Sequence, residues 1–562
     1  MKPSQTLRRR ISPIALAALL CLSSSCKDAK DTKADDAPKQ GEGAPTNVDA
    51  TEPVTPTPAP QPLPQVAPPT VDSAPIADVG DVVATVQLPT GTNVQDLMPI
   101  VEKFAPGMSA MVRMQLPTML ADVAGMSLDG AKLDAPISIV AVEPSLATQP
   151  LALLVHTKDL AKLQAAAKGA GLELRERDGL ALIGPSAVVA AAETFAFTNL
   201  KAAPDHTEIV IYPPQLAASL GPQIEAAMAM MDAQLAGTNP GMQGLMRMYV
   251  DALLGVTKQT ERFVISVSAG QTSTDLHARA YPLAGSELAA FVAAQTPSNH
   301  PLLAKLPSTA TQTMVMSGEI HSGPTTASLI GFSVAAMESM YSGAMPAETW
   351  TEIMTAWADT LDGQFAMSMT LSLPTGTTQP GMSIQALTGA TDADGMRKAW
   401  RDMVGALAKG QDGVDMMGMK VAIDYRNDVV EHDGVGVDLY TTNIDVTSLP
   451  EDQRAMIEAT NSASQSVNFA TFDKFGAIAT TDEDNKSMRT LIDAARGKGQ
   501  ALEPTPGLAS ALAISTERGE SLFSYFDMTT VAPDPSKMPF RAFVMAFGKQ
   551  GDALAIRFSL QN

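Results

Sequence analysis

The chain of 562 residues has two cysteines, Cys21 and Cys26, and none after them. Everything downstream therefore lacks the means to form a disulfide or a thiolate metal site. Basic residues are also in deficit: 39 Lys and Arg stand against 60 Asp and Glu, for a formal net charge of -21. No cluster of Lys and Arg follows the first ten residues, so a nucleic-acid backbone, which is held by such clusters, is excluded as a partner. The acidic charge is spread thinly and favours solubility and self-repulsion. Long apolar runs are absent as well, because the apolar stretch at 11–22 falls short of the about twenty residues that a bilayer core requires. What remains is ample for folding. With 45% hydrophobic and 18% charged residues, the chain can build one large or two ordinary domains.

Signatures of catalysis are missing too. The six histidines, His156, His206, His277, His300, His321 and His432, never stand in the H-x-H, H-x-x-x-H or H-E-x-x-H spacing that brings two imidazoles to one metal. His277 alternates with Asp275 and Arg279 and is expected on the solvent face of a strand. His432, between Glu431 and Asp433, reads as part of a polar turn before a strand at 435–439. Ser333 in "LIGFSVAAM" has only the first half of a G-x-S-x-G elbow and sits in a helical run. "GVGVD" at 434–438 lacks the third glycine and the helix of a dinucleotide loop, and no P-loop occurs. The acidic clusters "TDADGM" (391–396) and "TDEDNK" (481–486) lack the ligand ladder of an EF-hand. They are expected as helix starts, where carboxylates meet the positive end of the dipole. The chain is expected to be non-catalytic, with no cofactor and no metal.

What is present begins at the N-terminus. Lys2, Arg8, Arg9 and Arg10 precede the apolar segment at 11–22, and Ser23, Ser24 and Ser25 lead into Cys26. This is the layout of an export signal cleaved just before a cysteine. It resembles the lipobox of bacterial prolipoproteins, with one departure: the leucine usually three before the cysteine stands four before it, at Leu22, with Ser23 in its place. The resemblance covers residues 1–26 and implies that Cys26 is diacylated and becomes the new N-terminus. An ordinary secretory signal would leave Cys26 as a lone thiol in an oxidising compartment, a liability that acylation removes. Two acyl chains suffice for stable anchoring at about 0.8 kcal/mol per buried methylene. The implied location is the cell envelope, at the outer membrane or the periplasmic face of the inner membrane.

From Lys27 onward the chain reads "KDAKDTKADDAPKQGEGAPTNVDATEPVTPTPAPQPLPQVAPPTVDSAPIA", with eleven prolines and hardly any large apolar residue. Such a segment cannot bury enough surface to offset its ordering entropy and is expected to be a disordered tether. At about 3.1 Å per residue in polyproline II, its fifty residues reach at most roughly 150 Å.

Beyond the tether a unit of strand, turn, strand and helix recurs. Phe263, Ile265 and Val267 alternate with polar or small neighbours, Leu276, Ala278 and Ala280 alternate again, and a helix opens at Ser286. Phe365, Met367, Met369, Leu371 and Leu373 alternate, Met382 and Ile384 follow, and Thr391 or Asp392 caps a helix carrying Met396, Ala399, Trp400, Met403 and Leu407. "LELRERDGLALIGPSAVVAAAETFA" turns at Asp178-Gly179, "NFATFDKFGAIATTDEDNKSMRTLIDAARG" has the same order, and a last hairpin joins 540–548 to 552–560. Alternating strands interleaved with helices predict an α+β protein: antiparallel sheets built from repeated hairpin-plus-helix units, helices covering one face, in two lobes. The expected divisions are a signal peptide at 1–25, the lipidated Cys26 and tether at 26–78, an N-terminal lobe at 79–296 and a C-terminal lobe at 308–562. Prolines 297, 301 and 307 mark the boundary. The architecture loosely resembles secreted bacterial lipoproteins of unknown function, a likeness of pattern that implies no site residues.

The 32 methionines are the remaining oddity. Met228, Met230 and Met231, then Met242, Met246 and Met248, then Met416, Met417 and Met419 form clusters. Without nearby His or Cys they make a poor copper site. Met367 and Met369 alternate with Phe365 and Leu371 as core residues do, yet soft Met surfaces also adapt to apolar ligands. Two functions stay open: a membrane-anchored binding or scaffold protein that contacts an envelope protein, and a carrier that sequesters a lipid in a cleft lined by Met and Leu.

Overall fold

The computed structural model describes residues 79–90, 108–200, 206–235, 240–269, 273–308, 312–342, 344–372, 381–409, 414–416, 419–448, 463–532 and 540–561, with 102, 451, 454 and 538. Cys26, the signal-like segment and the tether lie outside these residues. The chain divides into two compact units, 1–67 and 68–562, and the fold below is that of the second.

The first half contains β1 (Val82–Leu88), α1 (Met108–Ala124), β2 (Ile137–Val142), β3 (Leu151–His156), α2 (Leu160–Gly169), β4 (Glu173–Arg177), β5 (Leu180–Gly184) and α3 (Ser186–Asn199). It continues through β6 (Glu208–Ile211), α4 (Pro213–Leu235), α5 (Pro240–Lys258), β7 (Thr260–Ala269), β8 (Ser273–Pro282) and α6 (Glu287–Ala294). The second half opens with β9 (Met314–Glu319), α7 (Thr326–Met340), β10 (Tyr341–Ser342), α8 (Ala347–Ala358), β11 (Leu361–Ser372), β12 (Gly381–Ala390) and α9 (Ala393–Ala408). Then come β13 (Val414–Met416), β14 (Met419–His432), β15 (Val435–Ile444), β16 (Ser464–Phe472), β17 (Phe475–Thr480), α10 (Lys486–Ala495), α11 (Pro506–Glu517), β18 (Leu522–Asp527), β19 (Ala542–Gln550) and β20 (Ala553–Gln561).

Local chemistry sets these boundaries. Asp178 and Gly179 both take positive φ, 52° and 78°, which gives the tight turn between β4 and β5 the twist its strands need. Asp433 and Gly434 do the same between β14 and β15. The Ser286 hydroxyl accepts from the Ala289 amide at the start of α6, and the Asp392 carboxylate accepts from Gly395 at the start of α9. Each satisfies a helix donor that has no intrahelical partner.

Among the described residues all pairings are antiparallel, and the twenty strands form one open sheet. Its order is β4-β5-β3-β2-β1-β6-β7-β8-β20-β19-β18-β9-β11-β12-β17-β16-β15-β14-β13-β10. The halves repeat one topology. β1 lies between β2 and β6 as β9 lies between β11 and β18; β2-β3-β5-β4 matches β11-β12-β17-β16; β6-β7-β8 matches β18-β19-β20. The second half adds β15, β14, β13 and β10. The halves share the sheet where β8 pairs with β20, and His277 faces Arg557 there. These two hold equivalent places in their hairpins, His277 opposite Ser266 and Arg557 opposite Ala546. An antiparallel seam between equivalent strands, centred on equivalent residues, is a local pseudo-two-fold axis.

Both faces carry cores. On one face, Leu154, Leu182 and Val140 pack under Val188, Ala192 and Phe195 of α3, as Leu387, Ala366 and Ala477 pack under Met488, Leu491 and Ile492 of α10 and Leu508 and Ala511 of α11. On the other, Ile137, Leu153 and Ile183 lie under Leu120 of α1 and Leu163 of α2, and Phe469 and Ile478 under Met396 and Trp400 of α9. Leu302, Leu303 and Leu306, from the proline-marked segment, belong to the second half's core.

On β11 the expected core row is not the most buried one. Ala366 and Ser368 are the buried side chains, at 0% and 3% exposure, whereas Phe365, Met367, Met369 and Leu371 are half-buried on the opposite face. Small side chains let α10 and α11 approach the sheet closely, so the Ala and Ser positions fill the core and the larger row is left elsewhere.

Candidate functional site: an apolar trough across the seam

The row containing Met367 continues through the ladder. Met367 pairs with Met316 and Met369 with Met314, Met316 with Ser524, Ser524 with Met545, Met545 with Phe558, and Phe558 with Leu276. Directly paired residues share a face, so these side chains line one surface. A parallel row runs through Phe365, Phe547, Ile556, Ala278 and Ile265. Leu522, which links Phe365 to Phe547 in this row through Gly318, is buried, as is Ser524 in the first row; the other large apolar members are half-buried. Among the described residues none of them joins a fully buried core. Phe543 and Phe558 stack here, with ring centroids 6.1 Å apart.

Helices wall this floor. α1 and α2 cover the same face at one flank, and α7, α8 and α9 cover it at the other through Val334, Trp350, Ile353 and Leu407. Between the walls lie β7, β8, β20, β19, β18, β9 and β11, six spacings of about 4.8 Å, or about 29 Å of floor. The α4 and α5 pair leaves β6 and returns to β7, and α5 packs against α7, tying one half to the other. Leu253 and Val256 of α5 and Leu329 and Phe332 of α7 are exposed.

The α9 wall is clamped to the sheet by charge. Asp438 of β15 is fully buried and accepts from Arg401 Nε (2.8 Å) and Nη2 (2.7 Å), Arg397 Nη2 (3.1 Å), the Tyr425 hydroxyl (3.0 Å) and the Asp428 amide (3.0 Å). Burial by itself would raise the Asp438 pKa, but these donors overcome it and hold the carboxyl at about 2. Asp428 takes φ of 50° where the β14–β15 register slips, and its carboxylate binds both arginines from the outside.

The positions singled out from sequence do not converge. His277 is not on a wet face: its side chain is 12% exposed, beside Asp275 at 3.9 Å, because the face expected to meet solvent is the one the cores occupy. His432 bonds Asp493 at 2.8 Å next to the β14–β15 turn, His300 contacts Ser515 at 3.3 Å, and His321 pairs with Glu319 at 3.0 Å. Ser333 lies within α7 and donates back to the Leu329 carbonyl, 2.9 Å. Among the described residues no group of three or more His, Cys, Asp or Glu is placed to hold a metal, and no helix is long and apolar enough to cross a membrane. Met228 is half-buried and Met230 exposed on α4, and Met248 is half-buried on α5. The side chains of Met231, Met242, Met246, Met416 and Met417 lie outside the described residues. Met337, Met345, Met354 and Met403 gather separately among α7, α8 and α9. Met316 and Met367, and Met314 and Met369, are paired across β9 and β11, and Met545 lies in the same row beyond Ser524. The only signal for them in the sequence is the period-2 alternation of each strand.

No family model matches the chain, and no curated protein matches it. Among solved structures, crystal forms III and IV of TP0453 match with TM-scores of 0.22, at 8% and 10% identity, over 46% and 48% of this chain and 93% and 95% of theirs. A likeness at that level supports no inference about fold or function.

Proposed function

We propose that the chain is a non-catalytic lipoprotein of the bacterial cell envelope, anchored through acylated Cys26, and that its folded part binds an amphiphile whose acyl chain lies in the trough. The observation that carries this reading is the row of half-buried Met367, Met316, Met545, Phe558 and Leu276, linked through Ser524, between two helical walls. Apolar surface of this extent, left out of every core, is the mark of an interaction site. Methionine suits acyl chains, because an unbranched, polarisable thioether adapts to a ligand without a fixed shape. The tether would let the trough work at a distance from the bilayer that holds the anchor.

The test uses the full chain as Cys26→Ser, purified without detergent and extracted for mass spectrometry. A stoichiometric lipid that is lost in Met545→Lys supports the carrier; a chain free of lipid overturns it. Fatty-acid labelling of the wild type, absent in Cys26→Ser, checks the anchor separately. A second reading, docking of an envelope protein, is favoured by Met108, Met111 and Met114, 38%, 42% and 75% exposed along one side of α1. A lipid-free chain that binds an envelope protein only while these three are intact would select it.

A further inference from the structure

The face of the seam turned toward the cores is charged. β8 contributes Asp275, His277 and Arg279, β20 contributes Arg557, and the chain after α11 contributes Arg518 and Glu520. Asp275, Arg279, Arg557 and Glu520 are 5%, 2%, 3% and 7% exposed. Arg557 is matched by Glu520 in a two-pronged pair, 2.7 Å at each prong, and Arg518 lies 3.6 Å from Asp275. Arg279 has no carboxylate within ion-pair distance among the described residues. Its one hydrogen bond runs from Nη2 to Ser266 Oγ, 3.3 Å, and its Nε has no acceptor. Guanidinium does not deprotonate in proteins, and an unpaired buried charge is strongly unfavourable.

Of the three guanidiniums, Arg557 and Arg518 each have a carboxylate within ion-pair distance, and Arg279 is the one that does not among the described residues; Glu208 stands opposite Ser266 on β6. We propose that Arg279 and Ser266 form a binding site for one small monovalent anion, chloride or a short carboxylate, at the junction of the two halves. Ser266 suits this role, since a hydroxyl that accepts from Arg279 keeps its own hydrogen to donate. The neighbour of Arg279 on β20 is Ala555, so no bulky side chain is paired with it across the seam. The bound charge would hold the β8–β20 ladder together, since without it the seam carries a buried cation repelled by Arg518 and Arg557.

The experiment follows amide hydrogen exchange of the full Cys26→Ser chain in HEPES at pH 7.5, with sodium chloride, acetate or phosphate titrated separately at constant ionic strength. Protection of 273–280 and 554–561 should rise at least tenfold and saturate with chloride or acetate. Arg279→Gln, which removes the unpaired charge, should be well protected without anion and indifferent to it. Arg279→Lys and Ser266→Ala should respond with a higher midpoint, and they keep the test available if the Gln variant does not fold. Protection that ignores all three anions, a response to phosphate alone, or an equal response in Arg279→Gln, which would mark an adventitious ion only, overturns the proposal.

Discussion

Two buried residues give this protein two separate acid steps. The Asp438 pKa in the fold, about 2, lies below its ordinary 3.8, so the unfolded chain takes up the proton first. The stabilisation is complete above about pH 4 and is lost as pH falls toward 2, by about 2 kcal/mol. His277 is pushed from 6.5 down to about 4, first by burial and then by Arg518 and Arg557, against the pull of Asp275. Here too the unfolded chain binds the extra proton, so stability is full above about pH 6.5 and falls by on the order of 3 kcal/mol by pH 4. Urea unfolding at stepped pH should show both windows. His277→Gln should flatten the upper one and leave the lower, and Asp438→Asn should cost about 3 kcal/mol at pH 7, because Arg397 and Arg401 keep only the exposed Asp428 as an ionic partner. A single window, or one that His277→Gln does not change, would contradict this assignment.

At the scale of elements, α9 depends on both a cap and a clamp. Asp392 accepts from Gly395 at 2.9 Å, and Asp392→Ala should cost about 1 kcal/mol, read as a lower Tm with an unchanged circular dichroism spectrum. The cap was legible in the sequence, as were the Asp178-Gly179 turn and the closing hairpin, because each depends on neighbours a few residues apart. The clamp was not. Asp438 reads as an ordinary acidic residue in an alternating strand, and only the pairing of β14 with β15 and the docking of α9 bring Arg397, Arg401 and Tyr425 around it. The trough was hidden for the same reason: Met316, Met367 and Met545 are brought into one row by strand register, which a single sequence does not encode locally. The alternation of β11 was plain, yet it does not say which of two faces a helix will choose, and the choice fell on Ala366 and Ser368.

At the scale of the molecule, two copies of one topology meet through eight paired positions of β8 and β20. Most of the core residues pack within their own half, Leu302, Leu303 and Leu306 with the second, although Ala553 at the start of β20 packs into the first half's core. Fragments 1–296 and 297–562 should therefore fold as partners when co-expressed. Each alone would expose a long strand edge, an invitation to wrong pairing. The expected outcome is a one-to-one complex on co-purification, with each fragment self-associating when produced alone. The pair at the pseudo-dyad explains why the correct partner wins. Two copies of β20 in the same register would set Arg557 against Arg557, whereas β8 offers it a neutral His277. Arg557→Glu, which leaves Glu520 without its partner and adds a like charge beside it, should abolish recovery of the complex. Undiminished recovery would show that the edges join by some register other than the one that places His277 opposite Arg557.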